Sequence, residues 1–237
     1  MPGKIDITLI GIGGIGCALA PFLARYLQSE RRATGEEVRI TLVDGDDFEN
    51  KNASRQSFET LGNKAKVKAS ELARSFPDLS FRAIPEFVTA ANLPHLVKSG
   101  DLVFLAVDNH ATRGAVSRHC EELSDIAVIS GGNDFTDGNV QVYVRRDGRD
   151  ITLPLTRFHP EIADPKDRSP AEMSCEELAA DSAPQLLFMN FTVASAMLNA
   201  FYAWRSGRLQ YGEVYLDILE GRAQPVARAP RDGENDR

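Results

Sequence analysis

The sequence predicts an α/β fold built on a doubly wound, mostly parallel sheet that becomes antiparallel late in the chain. Three observations support this prediction. Short apolar runs alternate with segments of helical period as far as about residue 130, a pattern typical of βαβ units. A glycine-rich turn, GIGGIG, follows the first apolar run, as in Rossmann-like folds. Valine alternates with polar residues over 139–146, which indicates a late antiparallel strand.

The first half of the chain completes one βαβ unit and begins the next. An apolar run predicts the first strand, and Ala, Leu and Phe on one face predict the helix after it, although Pro21 lies early in that helix. A β-rich alternation predicts a second strand that ends on Asp44. The predicted strands cover residues 4–10, 37–43 and 81–84, and the predicted helices cover residues 15–28, 64–75 and 91–98.

The second half continues this alternation. Two more apolar strands enclose a helix, and an antiparallel strand, a long helix and a small hairpin around Glu220 and Gly221 complete the fold. The predicted strands cover residues 102–106, 126–130, 139–146, 213–218 and 223–226, and the predicted helices cover residues 110–122 and 185–205.

One segment, 157–173, has no apolar period and contains Pro160, Pro165 and Pro170 among charged residues. It predicts a mobile surface loop that crosses from the strands to the long helix. We expect residues 1–226 to form a single domain and residues 227–237 to form a disordered tail.

Composition excludes several classes of protein. The 237 residues are 43% hydrophobic, enough for one substantial core. The formal net charge of -7 argues against a nucleic-acid partner. Cys17, Cys120 and Cys175 include no CxxC pair, so we expect neither zinc nor disulfides, and a cytoplasmic location. The uncharged stretch 183–204 is long enough to span a membrane, but its polar residues favour a core or dimer-interface helix.

The glycine turn predicts a nucleotide site. Gly11, Gly13 and Gly16, with Gly14 between them, allow a tight turn that presents the amides of the following helix to a phosphate or sugar. Asp44 at the end of the second strand is placed to bind a ribose hydroxyl. These features alone fit an NAD(P)-dependent oxidoreductase equally well, and a glycine turn can also serve only to pack helix on sheet.

Residues beyond Asp44 favour a phosphate-transfer site instead. Asn52, Arg55 and Gln56 share one helical turn, where Arg55 can bind phosphate oxygens. Lys64 begins the next helix and can supply a second positive charge over a departing pyrophosphate. We interpret Lys66 and Lys68 as a solvated charge run.

A second acidic position follows the strand 102–106. Asp108 lies at the carboxyl end of this strand, where it can bind Mg²⁺ beside a triphosphate. The alternative is that Asp108 caps the helix beginning near His110. We expect Arg113, one turn further on, to brace Asp108 or the sheet edge.

These residues together resemble the ThiF/MoeB/HesA family of the ubiquitin-activating E1 superfamily. Asn52, Arg55 and Gln56 follow Asp44 by eight, eleven and twelve residues, which is the family's D…NxxRQ spacing. KAKVKASELARSFPD resembles the family's lysine helix and indicates Lys64, and DLVFLAVDNHATR resembles the segment that indicates Asp108. The QPVARAP end resembles the compact ThiF proteins of PRTRC cassettes.

The resemblance implies adenylation, dependent on ATP and Mg²⁺, of the C-terminal carboxylate of a ubiquitin-like or sulfur-carrier protein. It implies an ATP site that includes Asp46 of the DGD segment, and a homodimer with an E2-like or sulfur-transfer partner. MSCEELAADSAP resembles the family segment whose cysteine accepts the activated carboxyl, so Cys175 is the candidate thiol. Ser174 and Glu177 form a capping-box pattern that would place Cys175 in a first helical turn. A purely structural thiol is the alternative.

Other interpretations remain open on the sequence. A tRNA-modifying dehydratase resembles the same family, although the acidic charge counts against a nucleic-acid substrate. An NAD(P)-dependent oxidoreductase would leave Arg55, Gln56, Lys64 and Asp108 without a shared task. A non-catalytic binding module would have little reason to keep them. Cys17 and Cys120 are expected to be small buried side chains.

Overall fold

The structure, a computed structural model, describes residues 3–173 and 185–227. The strands are β1 (Lys4–Ile10), β2 (Glu37–Val43), β3 (Asp47–Phe48), β4 (Gly62–Asn63), β5 (Ser80–Ile84), β6 (Leu102–Leu105), β7 (Ile126–Asn133), β8 (Asp137–Arg146), β9 (Arg149–Asp150), β10 (Glu213–Asp217) and β11 (Arg222–Val226). The helices are α1 (Gly14–Thr34), α2 (Lys64–Ser75), α3 (Leu93–Leu96), α4 (His110–Glu121), α5 (Pro160–Ala163) and α6 (Leu187–Arg205).

The main sheet has the order β11-β10-β8-β7-β6-β1-β2-β5, with β9 paired to β8, among the residues described. The pairs from β5 through β2, β1 and β6 to β7 are parallel. The pairs of β8 with β7 and β10, and of β10 with β11, are antiparallel. The predicted fold class is therefore confirmed. Since β1 lies between β2 and β6, the winding of the chain reverses at β1, where ligands of such sheets bind.

Helices cover both faces of the sheet. On one face, α1, α2 and α6 pack with the sheet into a core that includes Leu9, Leu42 and Phe104. On the other face, α3, α4 and α5 pack around Leu105, Val128 and Tyr143. Burial on both faces explains why the parallel strands read as nearly continuous apolar runs.

Two helices differ in length from their predictions. α1 continues through Pro21 to Thr34 and ends at Gly35, whose left-handed backbone (φ 75°) closes the helix. The helix predicted over 91–98 is a single turn, Leu93–Leu96, because Val97 is already extended (φ -130°) and is buried in the core.

The prediction of a mobile loop over 157–173 is wrong for much of that segment. It contains α5 and a 3-10 turn at Pro170–Glu172, and both His159 and Ile162 are buried. Pro160 and Pro170 begin these helical turns, since proline is well tolerated at a first helical position, where no amide donor is needed.

The C-terminal hairpin is confirmed: β10 and β11 are antiparallel around a turn with Gly221 at φ 61°. The tail predicted as disordered lies, from residue 228 on, outside the described residues. Within 3–173 and 185–227, no helix is long and apolar enough to cross a membrane.

Candidate active site

The glycine turn joins β1 to α1 at the reversal point of the sheet. The Gly11 amide donates to the Val43 carbonyl at 2.9 Å, and Gly11 has a φ of 87°. A Cβ on Gly11 would lie 2.7 Å from the Ala106 carbonyl oxygen, and one on Gly16 would lie 2.0 Å from the Gly11 oxygen. Glycine is therefore required at both positions, and the turn brings the first amides of α1 to the sheet edge.

Asp44 holds this turn from the end of β2. Its Oδ2 accepts from the Ile12 amide at 2.6 Å, and its Oδ1 accepts from the Asp46 amide at 2.8 Å. Burial raises the pKa of the Asp44 carboxyl, and the nearby positive charge of Lys64 opposes that rise. Each oxygen keeps a further lone pair, so Asp44 can also accept a ribose hydroxyl.

β3 and β4 form a two-stranded ribbon that the sequence did not predict. This ribbon brings Lys64 to Asp44 and Asp46. The Lys64 amide donates to the Asp46 carbonyl at 3.0 Å, and its ammonium forms an ion pair with the Asp46 carboxylate. Asn63 donates to the Asp44 carbonyl at 3.0 Å and caps α2 by accepting from the Lys66 amide. The Lys64 side chain is only 6% exposed, so its charge is held against Asp46 rather than in solvent.

Asn52, Arg55 and Gln56 share one turn, as predicted. The Asn52 carbonyl accepts from the amides of Arg55 and Gln56, each at 3.0 Å. The Asn52 side-chain oxygen accepts from the Glu49 amide at 3.1 Å, so it stabilises the turn itself. Gln56 is buried, and its Nε2 would lie 3.9 Å from a Cβ on Gly13. Gln56 therefore faces the glycine turn, while Arg55 is half-buried beside it.

The interpretation of Lys68 as solvated is wrong, whereas Lys66 is exposed as expected. Lys68 is buried and donates to the Ser57 carbonyl and to Glu71, both at 2.5 Å. Its ammonium also lies 4.5 Å from the centre of the Phe58 ring. A lysine can be buried when such partners satisfy its charge, and here it braces the segment that follows Gln56.

Asp108 is exposed three residues beyond β6, at the same end of the sheet as Asp44. The alternative that Asp108 caps α4 is wrong, since Asn109 accepts from the Thr112 amide at 2.8 Å and is the cap. Arg113 donates to the carbonyls of Val107 and Gly131. The expected bracing role of Arg113 at the sheet edge is confirmed.

Asp108 is a single exposed carboxylate, which suits a metal ion that is held mainly by the phosphates of its substrate. Among the described residues, no group of three or more His, Cys, Asp or Glu side chains could hold a metal ion. Mg²⁺ commonly binds through one or two carboxylates together with substrate phosphates. The exposed Asp108 carboxylate, at the same end of the sheet as the glycine turn, fits that pattern and would be the residue to hold Mg²⁺.

Two of the three cysteines are buried. Cys17 lies in the first turn of α1, where burial raises the pKa of its thiol, and burial raises that of Cys120 to about 12. Both are the small buried side chains that were expected. Cys175 lies outside the described residues.

One polar residue at the site escaped the sequence analysis. Asn190, in the first turn of α6, is completely buried, and its amide lies against Gly14, the first residue of α1. In the sequence, Asn190 is one of the polar residues that interrupt the uncharged stretch 183–204. Those residues argued against a membrane span and gave no sign of a contact with the glycine turn.

Comparisons with known proteins agree with this arrangement. The model of the ThiF family matches residues 3–211. The chain is 27% identical over 141 residues to "Adenylyltransferase and sulfurtransferase MOCS3" of Drosophila virilis, covering 58% of this chain and 29% of that protein. It is 29% identical over 154 residues to "tRNA threonylcarbamoyladenosine dehydratase" of Escherichia coli, covering 63% of this chain and 54% of that protein.

A solved structure shows the same fold. The microcin C7 biosynthetic enzyme MccB, in complex with N-formylated MccA, superposes with a TM-score of 0.70 and 19% identity over 95% of this chain and 66% of that one. The chain thus spans only part of each of these relatives. Because the family model covers the glycine turn, Asp44, Asp46, Lys64 and Asp108 in one continuous match, the chain belongs to the ThiF family.

Proposed function

We propose that this protein uses ATP and Mg²⁺ to adenylate the C-terminal carboxylate of a ubiquitin-like or sulfur-carrier protein or of a peptide. The observation that carries this proposal is the buried Lys64, paired with Asp46 beside the Asp44-held glycine turn. An NAD-dependent enzyme, which binds an unphosphorylated ribose at the end of this strand, has no phosphate there for an ammonium to bind. A lysine over a nucleotide phosphate is typical of phosphoryl-transfer sites.

The chemistry requires no general base. A carboxylate is already ionised at pH 7, so its oxygen attacks the α-phosphorus of ATP directly. The new acyl–phosphate bond forms as the bond from the α-phosphorus to the pyrophosphate oxygen breaks. Lys64 and Arg55 stabilise the negative charge that grows on the phosphoryl oxygens, and Asp44 orients the ribose. Mg²⁺, held by Asp108, would neutralise phosphate charge when bound.

The experiment that tests this proposal is exchange of radiolabelled pyrophosphate into ATP, driven by candidate carriers or peptides that end in glycine. We expect Lys64→Ala to lower the exchange rate about a hundredfold or more, as for other lost transition-state contacts. Lys66→Ala, an exposed lysine on the same helix, is the matched control and should leave the rate unchanged. Carrier-independent exchange, or equal rates in both variants, would contradict the proposal.

We further propose that the activated carboxyl passes to Cys175. The support is the resemblance of MSCEELAADSAP to the family's cysteine segment, together with the burial of Cys17 and Cys120. The thiolate would attack the acyl carbon, and AMP would leave as the thioester forms. We expect Cys175→Ala to retain pyrophosphate exchange but to lose any thiol-labile conjugate on a non-reducing gel. An unchanged conjugate would show that the protein stops at the adenylate.

A homodimer is also proposed, because α1 and α6 share an exposed aromatic face. Tyr26 on α1 and Tyr202 on α6 make an edge-to-face contact, with their ring centres 6.3 Å apart. Large side chains remain exposed on this face, namely Phe22, Phe188, Phe191 and Tyr202. Exposed apolar surface of this kind favours association. Sedimentation of wild type against Phe188→Asp tests this proposal: we expect a dimer only in wild type.

A second candidate function is tRNA modification, favoured by the match to the dehydratase over 63% of this chain. It would use the same nucleotide site on a carboxylate attached to a nucleoside. Pyrophosphate exchange driven by bulk tRNA, and not by protein carriers or peptides, would select this alternative.

A further inference from the structure

Two hairpin turns in the late part of the sheet expose large apolar side chains. Phe135 lies in the turn between β7 and β8 and is 52% exposed, and Leu219 lies in the turn between β10 and β11 and is 79% exposed. Leu219 is the most exposed large hydrophobic side chain that the structure describes. Single exposed apolar residues are common on protein surfaces, whereas contiguous ones mark sites of interaction.

The register of β8 and β10 places these two residues next to each other. The strands are antiparallel, and at the end of the pair the Ile218 amide donates to the Thr136 carbonyl at 3.0 Å. One step further along the same register, Leu219 lies opposite Phe135. Opposite residues of an antiparallel pair are about 5 Å apart, so the two exposed side chains form one apolar surface.

Both turns are held by hydrogen bonds. The Asp217 Oδ1 accepts from the amides of Leu219 and Glu220 at 2.9 and 3.0 Å. In the other turn, the Asp134 amide donates to the Asp137 carbonyl at 2.9 Å. The shape of this surface is therefore fixed before a partner binds, which lowers the entropy lost on binding.

The surface formed by residues 134–137 and 217–222, called the turn surface below, is acidic. It contains four carboxylates and one cation, namely Asp134, Asp137, Asp217, Glu220 and Arg222. Arg222 forms an ion pair with Glu220. An apolar centre with acidic surroundings favours a partner whose apolar patch is bordered by Lys or Arg. Nucleic acid and a second copy of this chain, with its formal net charge of -7, are disfavoured by the same charges.

The turn surface lies at the same end of the sheet as the candidate nucleotide site. β7 is parallel to β6, so the turn after β7 and Asp108 after β6 both follow carboxyl ends of parallel strands. In the strand order, β8 is three strands from β1 and β10 is four. With about 4.8 Å between strands, the turn surface lies about 14–19 Å from the glycine turn. An extended chain advances about 3.3 Å per residue, so about four to six residues span this distance.

Resting on the adenylation function above, we propose that the turn surface docks the folded body of a carrier protein whose C-terminal tail extends to the glycine turn. The carrier contacts Phe135 and Leu219 with an apolar patch bordered by Lys or Arg. Its tail, about four to six residues long, crosses the carboxyl ends of β7 and β6. The turn surface therefore favours a folded carrier over a free peptide with the same C-terminal residues, which gains no contact with the two turns.

The test compares pyrophosphate exchange driven by a ubiquitin-like carrier with exchange driven by a synthetic peptide of about its last six residues. We expect Leu219→Ser and Phe135→Ser each to raise KM for the carrier about tenfold, as for a contact residue at an interface, with kcat unchanged. KM for the peptide should be the same in both variants as in wild type. Ile151→Ser removes a 52% exposed apolar side chain beside the other end of β8. It is the matched control and should change neither KM.

A carrier whose tail is shortened to about two residues should no longer drive exchange, because it cannot span the distance to the glycine turn. Equal KM values for carrier and peptide in wild type, or an unchanged KM for the carrier in both turn variants, would overturn the docking proposal and leave adenylation standing. A parallel rise in KM for the peptide would assign the effect to the nucleotide site and would also overturn docking. If neither carrier nor peptide drives exchange, the proposed adenylation itself fails, and docking with it.

Discussion

At the residue scale, Asp108 and Asn109 are adjacent but have different roles. The Asn109 side chain accepts from the Thr112 amide at the start of α4, whereas Asp108 is exposed at the carboxyl end of the parallel strands. The amides of His110 and Ala111 donate to Asp167 at 2.6 and 3.0 Å, so the first turn of α4 is satisfied without Asp108. The Asp108 carboxylate is therefore available for a ligand.

This division of roles predicts that the two substitutions separate activity from stability. Asp108→Ala should lower pyrophosphate exchange about a hundredfold or more with little change in unfolding free energy. Asn109→Ala should lower the unfolding free energy by about 1 kcal/mol through loss of the cap. Urea unfolding and exchange assays on both variants measure this. A larger loss of stability in Asp108→Ala would mean that the carboxylate is structural.

At the scale of elements, α2 clamps the segment that follows the turn of Asn52, Arg55 and Gln56. Lys68 holds the Ser57 carbonyl, and the Glu71 carboxylate accepts from the Glu59 amide at 2.6 Å. Lys68 and Glu71 are themselves an ion pair with side chains 7% and 11% exposed. Removing one partner of a buried pair leaves the other charge uncompensated.

We therefore expect Lys68→Met to lower the unfolding free energy by about 3 kcal/mol and to weaken ATP binding, because Arg55 and Gln56 lose their support. Lys66→Met, the exposed neighbour on α2, should change neither quantity. Urea unfolding and ATP calorimetry provide the two measurements. Equal unfolding free energies of the two variants would show that Lys68 does not stabilise the segment after Gln56.

At the scale of the whole molecule, His159 links the segment between β9 and α6 to strand β10. Its Nε2 lies 2.7 Å from a Glu213 oxygen on β10, and its Nδ1 lies 2.9 Å from Glu161. Asn139 on β8 donates to the same Glu213 carboxylate at 3.0 Å. The hydrogen bond with Glu213 is the main cause of a raised His159 pKa, which burial opposes. With both ring nitrogens facing carboxylates, the protonated imidazolium is favoured.

The raised pKa predicts the pH dependence of stability. Because folding favours the protonated form, the contribution of His159 is complete below the ordinary histidine pKa of about 6.5 and is lost as pH rises through the folded value. Wild type should therefore exceed His159→Gln in unfolding free energy by about 2 kcal/mol near pH 6, and by less near pH 9. Urea unfolding across this range measures the difference, and a pH-independent difference would contradict the prediction.

Much of the fold follows from local patterns. β1, β2 and α2 begin and end where their apolar periods and flanking residues predict, since one buried face imposes one period. Spacing also predicts the candidate site residues Asp44, Arg55, Gln56 and Lys64, because short turns place them within one stretch of chain. Local patterns failed at Pro160, which begins a helical turn that the burial of Ile162 stabilises, and at Pro170, which begins a turn without buried residues.

What local patterns could not supply is the set of contacts between segments distant in sequence. The burial of Lys68, the position of Lys64 against Asp46 and the placing of Asn190 across Gly14 each join residues that no period relates. Hydrophobic patterning specifies which face of an element is buried, but not which polar partner will meet it there. The candidate nucleotide site can thus be predicted from the sequence, whereas the polar contacts that brace it arise only when the helices pack against the sheet.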